Sequence, residues 1–280
     1  MKALRAPAKL NLALLVGPSR ADGLHEVASL FCALTLADRI AVSAADADEV
    51  VCDDVVGPNL AAAALTALRE AGWRGPRLRI EIDKRIPIAA GLGGGSADAA
   101  AVLRLARGEV DGLEAIAARL GADVTSQLDP GLAYVNGAGE RVEPLPDPNE
   151  FALVLIPFAN GLSAADVYAE AERLGGGREQ AELERAGARL REAAAGGASP
   201  LDYAELLVND LQDAAMSLRP QVREAVSALR NVGAGAALVT GSGPTAFGLF
   251  ADIVEANRAC AALPPRFADA IVSGPARRGA

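Results

Sequence analysis

"IPIAAGLGGGSADAAAVLRLA", residues 86–106, places four glycines in the five positions 91–95, between an apolar run and an alanine-rich segment. Glycine costs about 1 kcal/mol relative to alanine in regular structure, so such density in front of a helix calls for a physical reason. A helix N-terminus carries unpaired N–H groups and a positive partial charge, and glycines let a phosphate approach them without side chains in the way. The stretch is not a P-loop, because no Gly-Lys-Ser/Thr follows the glycines. As a dinucleotide fingerprint it is poor: Gly91 and Gly93 fit the first two positions, Ser96 stands at the third, and no suitable ribose-binding acid follows. On the glycines alone, a tight strand-to-helix turn without a ligand stays open as a reading.

Upstream, "RLRIEID" at 77–83 alternates with period two and predicts a strand with Leu78, Ile80 and Ile82 on one face. Residues 59–72 predict a helix with Asn59 as N-cap and Gly72 past its end. "AKLNLALLV" at 8–16 predicts a strand, and the segment 24–45 predicts two more. Downstream, a helix is expected over 97–107 with Ser96 as N-cap, and another in "GLEAIAARLG", stopped by Gly121. Prolines 144, 146 and 148 punctuate "EPLPDPNE" and mark a domain boundary, dividing the chain into residues 1–148 and 149–280. Beyond it, "FALVLIPF" predicts a strand, about 178–194 an exposed Arg/Glu/Ala-rich helix, and "AAAGGASP" a flexible connection. A helix at about 220–230, a strand–glycine turn–strand in "GAALVTGSGPTAFGLFAD", a helix at 254–262 and a short strand in "DAIVSG" complete the chain. Interleaved strands and helices in both halves predict an α/β or α+β class.

At 280 residues, two modest domains with proper cores are expected. Only 4% of residues are aromatic, so alanine carries much of the packing. The formal net charge of −9 argues against broad binding to nucleic acid or anionic membranes, so an anionic ligand must be met by local donors. Cys32, Cys52 and Cys260 are odd in number and lack metal-ligand spacing, which favours a reducing cytoplasm over a disulfide framework or zinc site. Pro7, Lys9 and Asn11 interrupt any signal-peptide core, and no run of about 18 apolar residues occurs.

Three segments, "APAKLNLAL" at 6–14, the glycine stretch at 86–103 and "TGSGPTAFGLF" at 240–250, resemble in order and spacing the three motifs of the GHMP kinase superfamily. "ADGLHE" at 21–26, "GADV" at 121–124 and "NDL" at 209–211 narrow the resemblance to its members that act on a cytidine-diphosphate-linked methylerythritol. The resemblance implies an α+β GHMP kinase fold: an N-terminal domain like domain 2 of ribosomal protein S5, a C-terminal ferredoxin-like domain, and an active site in the cleft between them. It implies ATP as co-substrate with Mg2+, phosphorylation of the substrate's 2-hydroxyl in the non-mevalonate route to isoprenoids, and a monomer or homodimer. A kinase for another small alcohol, of homoserine or mevalonate type, and an inactive nucleotide-binding relative are the alternatives.

Phosphoryl transfer requires positioned oxygens, neutralised charge and a group to take or orient the hydroxyl proton. By the resemblance, Lys9 and Asp123 lie beside the acceptor hydroxyl. A carboxylate near a lysine keeps its charged form, so Asp123 accepts or orients the proton while Lys9 offsets charge. From the residues alone, Lys9 also reads as a strand-edge charge and Asp123 as a helix N-cap. His25, the single histidine, reads as a half-exposed loop imidazole. The resemblance assigns it, with Asn11, to substrate binding, His25 recognising cytosine. Gly91, Gly93, Gly94, Gly95 and Ser96 are implied at the ATP phosphates, and Asn59 and Lys84 at the adenine. Gly241 and Gly243 are implied to let the second domain's backbone approach, though a plain hairpin turn fits them equally. No protein ligand for magnesium is assigned beyond Ser96 as a candidate. Two departures stand out: Leu24 replaces the usual tyrosine before the histidine, removing a stacking surface. Thr125, Ser126 and Gln127 follow Asp123 in place of proline and apolar or aromatic residues, which predicts a more polar pocket wall.

Overall fold

A computed structural model describes residues 2–55 and 57–279 as two sheets joined by a short linker. The first sheet contains β1 (Lys2–Ser19), β2 (His25–Ala44), β3 (Glu49–Val51), β4 (Leu78–Asp83), β5 (Leu132–Gly137) and β6 (Arg141–Pro144). Its order is β3-β4-β2-β5-β6, with β1 paired to β2 and only β3–β4 parallel. The two strands expected over 24–45 are one twenty-residue strand. Nothing between its ends supplies a turn, and the change comes in its neighbours: residues 27–32 pair with β5 and residues 39–44 with β4.

Helices α1 (Leu60–Glu70), α2 (Gly94–Leu103), α3 (Leu113–Leu120) and α4 (Ala122–Ser126) belong to this half. The predicted face of β4 is in the core: Leu78, Ile80 and Ile82 are buried with Ile40, Val42 and the alanines of α2. Helix α2 is buried at every position from Ala97 to Leu103, and its small side chains let it lie close against α1. Ser96 does not cap α2. The helix begins at Gly94, and Gly93, at φ +68°, turns the chain into it with no side-chain cap.

Residues 145–151 lead into the second sheet, whose strands β7 (Ala152–Ile156), β8 (Ala236–Val239), β9 (Ala246–Phe250) and β10 (Ile271–Ser273) run antiparallel in the order β10-β7-β9-β8. With it come α5 (Ala164–Arg173), α6 (Gln180–Ala195), α7 (Gln212–Leu218), α8 (Pro220–Asn231) and α9 (Ile253–Ala261). Helix α6 is not simply exposed. Its charged residues hide a stripe, Leu183, Gly187, Leu190 and Ala194, that packs on β1 and β2. Gly187 permits the contact, since a Cβ there would lie 2.9 Å from Ala28 Cβ on β2 and 2.5 Å from the Tyr134 hydroxyl on β5. The "AAAGGASP" connection is tied down too: the Asn149 N–H donates to Gly197 O at 2.7 Å, and Ser199 and Asp202 form a capping box. The chain's end returns to the first sheet, where the Thr35 N–H donates to Gly274 O at 2.8 Å and the Ala276 N–H to Ala33 O at 2.7 Å. Among the described residues, no helix is long and apolar enough to cross a membrane.

Candidate active site

Lys9 sits on β1 just past a break in register, where Pro7 pairs with Ala37 but Lys9 with Ala33. Its ammonium, almost fully buried, lies 3.1 Å from Asp123 Oδ2, donates to Asn11 Oδ1 at 2.9 Å and stands 4.7 Å from the centre of the Phe31 ring. Asp123 does not cap a helix. Gly121 holds the N-cap position of α4, and Asp123 in its first turn directs its carboxylate to Lys9 with 37% of the side chain accessible. A carboxylate beside a lysine and reachable from solvent is placed where a bound hydroxyl could pass it a proton. Asn11 is fixed by its neighbours: Nδ2 donates to Ser29 Oγ and the backbone N–H to Thr240 Oγ1.

The motifs at 6–14, 86–103 and 240–250 meet at this point. A Cβ on Gly93 would lie 2.7 Å from Lys9 Cγ, one on Gly91 2.6 Å from Gly243 O, and one on Gly241 3.2 Å from Asn11 Oδ1. All three glycines have positive φ, so both conformation and space require glycine there. The Lys9 N–H donates to Leu92 O, and Thr245 Oγ1 donates to Ala90 O at 2.6 Å, so the loops are bonded as well as packed. The first helical bond of α2 runs from the Ala97 N–H to Gly93 O, leaving the N–H groups of Gly94, Gly95 and Ser96 without intrahelical partners.

Two cavities adjoin here. One, of about 740 Å³, is lined by Lys9, Asn11, His25, Phe31, Asp123 and Tyr168 among others. The other, of about 340 Å³, runs from Asn59 and Lys84 along Gly91–Ser96. Leu60 and Ser96 line both. The first cavity therefore holds the predicted catalytic and substrate residues, and the second holds those predicted for ATP, apart from Gly241 and Gly243. Gly241 lines the first cavity, and Gly243 packs against the loop at Gly91. His25 stacks on Tyr168 with ring centres 4.9 Å apart. Its Nδ1 lies 3.2 Å from Gly17 O, and its Nε2 3.3 Å from Glu172 Oε1. Tyr168 and Glu172, four residues apart on α5, bring the second half of the chain to His25. Burial, with the Asp123 charge, pushes the Tyr168 hydroxyl up to about 12, so the ring stays neutral. Leu24 also lines this cavity but is largely exposed, so the aromatic wall is supplied by Tyr168 instead.

Asn59 caps α1, its Oδ1 accepting from the Ala61 N–H at 2.8 Å, while also bordering the smaller cavity. Lys84 borders it too, but its ammonium is turned to Asp38 and, at 2.8 Å, to Asp98. Asp38 Oδ1 accepts from the Arg85 and Ile86 N–H groups. Asp98 Oδ1 is buried without a partner. Burial, opposed by Lys84 and reinforced by Asp38, raises Asp98 to about 7. No cluster of three or more metal-ligating side chains occurs among the described residues. With Asp123 paired to Lys9 and Asp98 to Lys84, the side chains beside the loop do not form a protein cage for magnesium.

The residues after Asp123 do not make the cavity wall polar. Ser126 Oγ donates to Asp123 O, and Gln127 Nε2 to Pro7 O, while none of residues 125–127 lines the cavity. The "NDL" segment is structural: Asn209 Nδ2 donates to Val239 O and Gly241 O, and Asp210 accepts from the Val16 N–H and from Arg178. Sequence reasoning missed Tyr168, Glu172 and Gly161. A Cβ at Gly161 would meet Ala89 O at 2.5 Å. The i, i+4 spacing of Tyr168 and Glu172 was available, but nothing in the sequence aimed that face at His25.

The GHMP kinases N terminal domain family matches residues 59–130, and the GHMP kinases C terminal family matches residues 180–269. The chain is 42% identical to the 4-diphosphocytidyl-2-C-methyl-D-erythritol kinase of Nocardia farcinica (strain IFM 10152), covering 86% of this chain and 82% of that one. It is 40% identical to the enzyme of that name from Streptomyces coelicolor, covering 91% and 89%. A crystal structure of 4-(cytidine 5'-diphospho)-2C-methyl-D-erythritol kinase superposes with a TM-score of 0.80 at 34% identity, covering 98% of each chain. Homoserine kinase from Cytophaga hutchinsonii shares the fold, with a TM-score of 0.73 at 18% identity over 99% of this chain and 94% of that one.

Proposed function

Since the chain belongs to the 4-diphosphocytidyl-2-C-methyl-D-erythritol kinases, within the GHMP kinases, we propose that it transfers the γ-phosphoryl group of ATP to the 2-hydroxyl of 4-diphosphocytidyl-2-C-methyl-D-erythritol, giving the 2-phosphate and ADP. Its product then belongs to the non-mevalonate route to isoprenoids. The observation that carries this reading is the Lys9–Asp123 pair, set where the larger cavity adjoins a glycine-lined one.

The triphosphate lies along Gly91–Ser96, its terminal phosphate toward the free N–H groups at the start of α2, where donors and helix dipole act together. The cytosine enters the larger cavity against Tyr168 and His25, and Asn11 and Lys9 hold the polyol end. Asn59 and Lys84 border the adenine, and residues 1–148 form the ATP-binding domain beside a second domain of residues 149–280. Magnesium travels with ATP as counter-charge to its phosphates. The 2-hydroxyl oxygen attacks the γ-phosphorus as the bond to the β,γ-bridging oxygen breaks. Asp123 takes the hydroxyl proton, and Lys9, held by Asn11 and Asp123, offsets charge on the transferred group.

The test is coupled ADP release with magnesium-ATP and the cytidyl substrate beside homoserine, mevalonate and phosphomevalonate, with Asp123→Ala as control. Turnover confined to the cytidyl substrate and reduced about 10²–10⁴-fold in the variant is expected. Turnover on another alcohol instead, or ATP binding with no turnover at all, overturns the assignment.

A further inference from the structure

Helix α4 carries Asp123 at one end and Gln127 just past the other. Gln127 is 2% exposed, and its Nε2 donates to Pro7 O at 3.0 Å across 120 residues of sequence. Pro7 stands two residues before Lys9, at the edge of the register break. The element bearing the carboxylate and the strand bearing the ammonium are thus joined twice: by the 3.1 Å charge pair at the cavity, and by an amide-to-carbonyl bond behind it. Ser126 Oγ tightens α4 onto Asp123 O at 2.9 Å, and Arg104 donates to Gln127 O at 2.6 Å and Arg5 O at 2.8 Å, holding the outer side of the brace. The front connection is the more open of the two, since 37% of the Asp123 side chain is accessible to solvent whereas Gln127 is buried.

We propose that Gln127 is a positioning residue for phosphoryl transfer, setting the separation and angle of Lys9 and Asp123 through the carbonyl of Pro7. The inference rests on the assignment of Lys9 and Asp123 to the transfer step. Met at position 127 keeps length and bulk but cannot donate, so it removes the rear bond and leaves the cavity lining unchanged.

The experiment compares Gln127→Met with Ser199→Ala, which removes a buried polar contact away from the cavities, and with Asp123→Ala, each confirmed folded at the assay temperature. Misplacement by a fraction of an ångström is expected to lower kcat of Gln127→Met about 10- to 100-fold, with both KM values within about twofold. Its kcat–pH profile should also move, because the variant changes the separation of the Lys9–Asp123 pair. Ser199→Ala should keep both kcat and the profile. A Gln127→Met enzyme with kcat within about twofold of the parent, or with lower kcat and an unmoved profile, overturns the proposal. If Gln127→Met does not fold, Gln127→Leu, which also lacks the donor and puts no charge in the buried site, is judged by the same two readings. An active Asp123→Ala would instead refute the underlying assignment, so the two failures are distinguishable.

Discussion

Gly91→Ala tests whether the phosphate loop and the third glycine motif are locked together as closely as the structure has them. Gly91 has φ +78°, and a left-handed alanine costs about 1–2 kcal/mol. The added Cβ would also lie 2.6 Å from Gly243 O, a backbone atom that cannot rotate away. Gly243 is held by its own N–H bond to Thr240 O and by the neighbouring Thr245–Ala90 bond, so the two loops must part against existing bonds. Such overpacking costs a further ~1–3 kcal/mol. Gly112→Ala isolates the first contribution: its φ is +70°, and nothing lies within 4 Å of its Cβ position. Urea unfolding should therefore place Gly112→Ala about 1–2 kcal/mol below the parent and Gly91→Ala lower by the overpacking term. In ADP release, Gly112→Ala should keep its kcat, while Gly91→Ala should lose about 10²-fold because the N–H groups that meet the phosphate are displaced. Equal stability and equal kcat for the two variants would show that the loops are not in contact in solution.

Asp98→Asn should change stability in a pH-dependent way. Because burial raises Asp98 to about 7 while an unfolded aspartate titrates near ~4, the folded state holds the extra proton between those values, and stability falls as pH rises through that window. The variant lacks this loss, so its stability relative to the parent should improve between pH 5 and pH 8 in urea melts. An offset that is the same at both pH values would refute the account. Tyr168→Ala should raise KM for the cytidyl substrate about 5- to 100-fold, the range of one base–aromatic stack, and leave KM for ATP unchanged, whereas Tyr168→Phe should stay near the parent. Equal effects on both substrates would remove Tyr168 from the cytosine wall.

What was legible in the sequence was what the backbone demands locally. Gly91, Gly93 and Gly241 announce positive φ, the alternation at 78–82 announces a one-sided strand, and Pro144–Pro148 announce the passage between sheets. Helix α6 misled because Arg and Glu residues are spread along its length, although Leu183, Gly187, Leu190 and Ala194 recur on one face of a helix. Lys9 and Asp123 became a pair only through motif resemblance, since 114 residues of sequence separate them and either fits a bland role alone.

The harder cases are polar residues whose partners are remote backbone atoms. Asn209 bonds Val239 O and Gly241 O, Thr240 accepts from the Asn11 N–H across 229 residues, and Gln127 meets Pro7 across 120. A buried side-chain donor left unpaired costs about 1–3 kcal/mol, so most find an acceptor, though the Thr125 hydroxyl has none. Read along the chain, Thr125-Ser126-Gln127 therefore suggested a polar cavity wall, the commonest place for such residues to find water or ligand. In the fold Ser126 and Gln127 find carbonyls first: one of their own helix, one on β1 beside the register break. That trade places their polarity in the mechanical link between the strand of Lys9 and the helix of Asp123. If Asp123 is the base proposed for the transfer, substitutions just after it act on rate while touching neither substrate.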